Sequence, residues 1–129
     1  MRSRVFSGAP WERSVGYCRA LRAGPFVAVS GTISLKDGVV FAPGDAYAQA
    51  RRCLEIIEDS LKELGLGREH VVRTRLFVTD IGQWESIGRA HGEFFASHPP
   101  ATSMYEVSAL IAPEFLIEIE AEAWAPESG

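Results

Sequence analysis

The sequence is poor in cysteine, in histidine and in long apolar runs, and each shortage excludes something. Two cysteines in 129 residues, Cys18 and Cys53, cannot make a disulfide scaffold, and they fit a reducing cytoplasm. No stretch of about 20 apolar residues occurs, so no helix is expected to span a membrane. The first 16 residues carry charge without a continuous apolar core and do not read as a secretory signal. Basic residues are outnumbered, 13 Lys and Arg against 17 Asp and Glu, for a net charge of -4. Such a chain gains little from phosphate contacts, which argues against nucleic-acid binding. Three histidines, at 70, 91 and 98, stand without the short spacing of a metal site, and no CxxC, HExxH or calcium loop accompanies them. Neither a phosphate loop, nor a GxGxxG turn, nor a GxSxG elbow is found, so no metal or cofactor is expected.

What is present is an ordinary globular composition, 47% hydrophobic and 23% charged. Repeats, low-complexity stretches and linkers are absent, and residues 1–129 read as one domain with a few frayed residues at each end. Tyr17–Arg22 and Phe26–Ser30 flank an Ala-Gly-Pro turn and predict a hairpin. Thr32–Leu35 and Val39–Phe41 flank Lys-Asp-Gly and predict a shorter one. Asp45 caps a helix whose apolar stripe is Ala50, Cys53, Leu54, Ile57, Leu61 and Leu64, with Gly65 as its left-handed stop. Arg51–Glu55 and Glu58–Lys62 stand four apart on its other face. Val71–Val78 predicts a strand. About Gln83–Ser97 predicts a helix with Trp84, Ile87, His91, Phe94 and Phe95 along one stripe, stopped by Pro99-Pro100. Strands at Ser103–Val107 and Leu116–Trp124 complete an α+β fold, a mixed sheet with two helices packed on one face.

The last strand alternates strictly. Ile117, Ile119, Ala121 and Ala123 suit the surface under the helices, and Glu118, Glu120, Glu122 and Trp124 face the other way. Arg73, Arg75 and Phe77 share a side of their own strand, so adjacent strands would let the arginines neutralise the glutamates. Two readings stand for this second face: a solvated side of an antiparallel sheet, or a contact with other subunits. Cys53 reads as inert packing, Cys18 as a strand residue beside Arg19, and His91 as a packed, hydrogen-bonded histidine. The chemistry left over is a set of polar residues near strand ends: Tyr17, Arg19, Ser30, Thr102, Ser103, Tyr105, Glu106 and Glu118. Each also has a structural reading, Tyr17 as an edge aromatic, Ser30 and Thr102 as turn caps. The residues alone stop at a small α+β domain.

Four segments taken together carry a resemblance. Val29-Ser30-Gly31-Thr32-Ile33, the helix AYAQARRCLEIIEDSLKELGLG, the strand VVRTRLFVTDI and the ending IEIEAEAW, in this order and spacing, resemble the Rid family (YjgF-like reactive intermediate deaminases) from about Tyr17 to Trp124. The resemblance implies a chorismate-mutase-like fold and a homotrimer whose sheets form a central barrel. It also implies a small-molecule cleft between subunits. Active members hydrolyse imines and enamines such as 2-aminoacrylate, and an arginine in an Ala-Arg-Ser segment grips the substrate carboxylate through two parallel hydrogen bonds. Here that segment reads Ala101-Thr102-Ser103, the following residue, often cysteine, is Met104, and a common asparagine of the second helix corresponds to Gly88.

Tyr17, Ser30 and Glu118 match the family's cleft, with Gly31 beside them; in the family the glutamate helps place a hydrolytic water. The resemblance therefore implies Glu118 as the catalytic residue and Tyr17, Ser30, Gly31, Gly88, Thr102, Ser103 and Met104 as substrate-binding. Losing a buried charge-assisted contact costs about 2–5 kcal/mol, so the expected activity is hydrolysis or deamination of a less anionic substrate. Arg19 and Arg75 are candidates for a displaced guanidinium, against the favoured reading of both as ion-pair residues. The alternatives are a non-catalytic trimeric binding or regulatory protein and, with less support from the acidic charge, an endoribonuclease or translation inhibitor.

Overall fold

The computed structural model describes residues 2–127. A six-stranded sheet runs in the order β1 (Arg2–Val5), β2 (Ala20–Ala23), β3 (Phe26–Ile33), β8 (Ile117–Trp124), β6 (Val71–Val78), β7 (Ala101–Glu106). All neighbours are antiparallel except β6 and β7, which are parallel. Parallel neighbours need a crossover, and α3 (Trp84–Phe94) provides it. A separate ribbon pairs β4 (Leu35–Lys36) with β5 (Val39–Val40). The α+β architecture is the expected one.

Helix α2 (Ala46–Glu63) follows its apolar period: Ala50, Cys53, Leu54, Ile57 and Leu61 are all fully buried. The Asp45 side chain accepts a hydrogen bond from the Ala48 N–H, and Gly65 ends the helix at φ +83°, a conformation that costs a residue without Cβ little. The expected i,i+4 pairs on the outer face do not form. Arg51 reaches Glu93 on α3, Arg52 reaches Glu55, and Glu58 takes a two-pronged bond from Arg68 beyond the helix. That bond holds the Glu58 carboxyl below the ordinary range. Arg51 and Glu58 take partners outside the helix, which also tie down the next segments.

The inner face of the sheet is Val27, Val29, Leu76, Val78, Ile117, Ile119, Ala121 and Ala123, all buried under α2 and α3. The outer face carries the charges, and β6 and β8 are adjacent as the pattern required. Arg75 lies opposite Glu120 and reaches it at 3.8 Å and Glu122 at 3.4 Å. Phe77 stacks with Tyr105 at 5.8 Å, while Tyr105, Trp124 and Phe26 remain 45%, 53% and 43% exposed.

Several boundaries differ from expectation. The N-terminal segment is not frayed: it adds β1 at the sheet edge and a third helix, α1 (Pro10–Val15). The alternation from Tyr17 overstated β2, which begins at Ala20, so Tyr17 and Cys18 lie in the connection and Cys18 is not a strand residue. Thr32 belongs to β3, because pairing with β8 extends that strand beyond Ser30. Helix α3 stops at Phe94, with Phe95 as its cap, and Trp84 is 57% exposed at its first turn rather than part of the buried stripe. β7 starts at Ala101, two residues earlier than expected, because it pairs with β6 from Arg73 onward.

Candidate functional site

The site begins with an irregularity. Between β3 and β8, Val29 pairs with Ala121 but Thr32 pairs with Ile119, so β3 carries one extra residue at Ser30–Gly31. Such a bulge bends the strand and re-aims side chains. Hydrogen bonds from the segment just before β2 hold it. The Ser30 N–H donates to the Arg19 carbonyl at 3.0 Å, the Ser30 hydroxyl to the Cys18 carbonyl at 2.8 Å, and Arg19 Nη2 to the Gly31 carbonyl at 2.5 Å.

Glu118 lies against this bulge. A Cβ built on Gly31 would stand 2.8 Å from the Glu118 carboxyl carbon, so glycine is what lets the carboxyl rest on the backbone. Burial raises the Glu118 pKa, the neighbouring Glu120 raises it further, and Arg19 pulls it back. Arg19 is only 7% exposed, and its Nε has no hydrogen-bond partner. Among the described residues no carboxylate comes within 4.0 Å of it. Its guanidinium carbon lies 5.9 Å from the centre of the Tyr17 ring. Tyr17, Arg19, Ser30, Gly31 and Glu118 line one concavity of about 1050 Å³.

The N-terminal segment and the 107–116 loop form other walls of this concavity, through Pro10, Trp11 and Ile111. Glu12 sets the first of these. It is 5% exposed, accepts from the Ser7 N–H at 3.0 Å and the Gly8 N–H at 3.4 Å, and also pairs with the Ser7 hydroxyl. A carboxylate satisfied by backbone amides fixes the loop ahead of its own helix.

The remaining expected residues lie elsewhere. Thr102, Ser103 and Met104 are on β7, the far edge of the sheet, with β8 and β6 between them and β3. Three strand spacings, about 14 Å, separate them from the bulge on β3, and two, about 10 Å, from Glu118 on β8. Ser103 accepts from Arg73 Nη2 at 3.0 Å on the outer face. Thr102 pairs in register with Thr74, under α3. Gly88 is on α3, one turn before His91, with nothing within 4 Å of where its Cβ would be. One chain therefore unites Tyr17, Ser30, Gly31 and Glu118, and keeps Gly88, Thr102, Ser103 and Met104 apart from them. Of the two arginine candidates, Arg19 is in the concavity and Arg75 is in ion pairs with Glu120 and Glu122. Among the described residues no three of His, Cys, Asp and Glu converge to hold a metal ion, and no helix is long and apolar enough to cross a membrane.

The sequence profile of the endoribonuclease L-PSP family matches residues 9–125. The chain belongs to this family. Its relatives carry the names YjgF, RutC and Rid. The uncharacterized protein SCO2049 of Streptomyces coelicolor is 38% identical over 121 residues, covering 94% of this chain and 90% of that one. The RutC family protein y4sK of Sinorhizobium fredii is 31% identical over 95 residues, 73% of this chain and 75% of that one. Among solved structures, Rv2704 of Mycobacterium tuberculosis, a member of the YjgF/YER057c/UK114 family, superposes with a TM-score of 0.89 at 46% identity, covering 97% of this chain and all of that one. The YjgF gene product of E. coli gives 0.80 at 28% identity, covering 94% and 93%. The YjgF fold expected from the sequence is thus the fold of this family member.

Within this family member the isolated guanidinium of Arg19 yields a prediction. Replacing it with glutamine removes the one positive charge that lowers the Glu118 pKa. The Glu118 titration, followed by carboxyl NMR, is expected to move to higher pH in Arg19→Gln. An unchanged titration would mean that solvent screens Arg19 from Glu118.

Proposed function

We propose that this protein hydrolyses a small imine or enamine to a carbonyl compound and ammonia, in a cleft shared by neighbouring copies of a homotrimer, and that it prefers a substrate less anionic than 2-aminoacrylate. The observation carrying this reading is the Glu118 carboxyl, half-buried on the Gly31 backbone at the wall of a large concavity. Its raised pKa brings the acid and carboxylate forms closer to neutral pH, as proton transfer in both directions requires. As carboxylate, Glu118 takes a proton from water while the water oxygen bonds to the imine carbon and the C=N pair moves to nitrogen. As acid, it returns that proton to nitrogen to give the carbinolamine. It then takes the carbinolamine hydroxyl proton as the C=O bond forms and passes it to nitrogen as the C–N bond breaks, so that ammonia leaves. An enamine enters the same sequence as its imine tautomer.

Two features support completion of the cleft by another copy. Thr102–Met104 lie about 14 Å from the bulge within one chain, too far for a small ligand to touch both. The outer face that would meet neighbours carries exposed Phe26, Tyr105 and Trp124 among pairable charges. The free thiols of Cys18 and Cys53 support a reducing, cytoplasmic setting.

The test couples the protein to a serine dehydratase and follows imine decay. The wild type is expected to accelerate decay of 2-aminoacrylate weakly, and Thr102→Arg to improve it by about 10- to 100-fold, the value of one added charge-assisted contact. Acceleration equal to that of an arginine-bearing relative would overturn the preference. Ligand binding without hydrolysis of any imine would make this a binding protein, and RNA cleavage that survives purification would restore the ribonuclease reading. Sedimentation is expected to show three copies, and single copies would remove the shared cleft.

A further inference from the structure

Position 102 is where the resemblance expects an arginine, and this chain surrounds it with hydroxyls and an imidazole. Thr102 is exposed on β7. Its Oγ1 lies 2.8 Å from Thr74 Oγ1 and 3.4 Å from His91 Nε2, and Thr74 Oγ1 lies 2.8 Å from the same nitrogen. The Pro100 carbonyl, 3.3 Å away, is a further acceptor for the Thr102 hydroxyl. Three polar atoms from β6, β7 and α3 thus close a triangle, with its Thr74 corner fully buried and its Thr102 corner open.

The triangle carries no charge at neutral pH. Burial lowers the His91 pKa, and no charged side chain contributes to that shift. The Phe95 ring packs on the imidazole at 4.7 Å. Arg73 and Arg75 flank Thr74 in sequence but serve the outer face, Arg73 donating to Ser103 and Arg75 to Glu122. A hydroxyl has one proton to give and two lone pairs. Rotation of the Thr102 hydroxyl, with Thr74 and His91 absorbing the change, presents a donor or an acceptor to a ligand. A carboxylate placed there meets one donor and no cation, and removing it from water costs far more than removing a neutral carbonyl.

We propose that Thr102, Thr74 and His91 form a subsite for an uncharged carboxamide group of the ligand, where an arginine would hold a carboxylate. The proposal rests on reading the Thr102 strand as part of the substrate cleft, and it names the substrate class of that cleft.

Binding of two product-like probes to the full-length protein, pyruvamide and pyruvate, tests it by calorimetry at pH 7.5 without any catalytic step. Pyruvamide is expected to bind at least about tenfold more tightly than pyruvate, the difference one hydrogen bond makes. Thr102→Val and His91→Leu each remove the preference, Thr102→Ser keeps it, and Thr102→Arg reverses it. Equal or tighter binding of pyruvate to the wild type overturns the proposal. So does a preference that survives Thr102→Val or His91→Leu, or the failure of both probes to bind at millimolar concentration. Thr102→Ser keeps the hydroxyl with little change in packing, so its loss of preference counts against the proposal even where the valine variant is unstable. Preference without imine hydrolysis removes the catalytic reading alone, and hydrolysis without preference removes the subsite alone.

Discussion

Under the proposed imine hydrolysis, replacing Gly31 with alanine is expected to abolish activity as completely as replacing Glu118 with glutamine, and to leave the fold standing. The new methyl group would stand 2.8 Å from the Glu118 carboxyl carbon and 3.3 Å from its Cγ. A glutamate side chain can swing away from such a clash, so the backbone need not move. The carboxyl then leaves the bulge, and the general acid–base contribution goes with it, a loss of about 10²–10⁴ in kcat/KM. Glu118→Gln loses the same factor by keeping the position and removing the proton. The two variants separate in stability. Burial raises the Glu118 pKa, so the folded state binds more protons than the unfolded one between the ordinary glutamate value and the raised one. The penalty of the ionised carboxyl is complete above the folded pKa and vanishes as pH falls through it to below the unfolded value. Glu118→Gln should therefore raise Tm at pH 8, and the gain should vanish as pH falls below the ordinary glutamate value. Full activity in Gly31→Ala, at any pH, would show that the carboxyl does not work from the bulge.

That prediction depends on a feature the sequence half displays. The alternation of Glu118, Glu120 and Glu122 against Ile117, Ile119 and Ala121 is legible because a strand has period two and one face is apolar. The helix α2 is legible because its stripe is long and its ends carry Asp45 and Gly65. The bulge is not legible, since Gly31 reads as a break between the strands Phe26–Ser30 and Thr32–Leu35 until the register with β8 shows one strand running through it with an extra residue. The N-terminal elements were hidden for a different reason. Helix α1 buries a carboxylate, Glu12, and no apolar stripe, so periodicity gives no signal there. Only Pro10 at its start and Gly16 at its end mark it. The position of Arg19 in the concavity follows from a strand that starts late, at Ala20, and the separation of Thr102 from Glu118 follows from strand order. Neither is local in sequence.

Gln49 is a second case where pattern misleads, and its removal should have the largest effect on stability. It sits on the inward face of α2, one residue before Ala50, and is fully buried. A polar residue there looks like a flaw in the stripe. Its amide nitrogen donates to the Ala42 carbonyl at 3.1 Å and the Glu114 carbonyl at 3.0 Å, and its oxygen accepts from the Leu116 N–H at 2.9 Å. One side chain therefore ties the entry to α2 to the entry to β8, across the loop that carries Ile111 to the concavity. Gln49→Leu keeps the volume and strands these backbone groups, at a cost of about 3 kcal/mol. Thermal unfolding should shift down by about 10–15 °C for a domain of this length. The binding of small ligands should weaken as the 107–116 loop loosens, while Glu118, anchored on β8 and the bulge, keeps its titration. A shift below about 3 °C would mean that water replaces the amide without loss, and that the loop is held by its own turns rather than by Gln49.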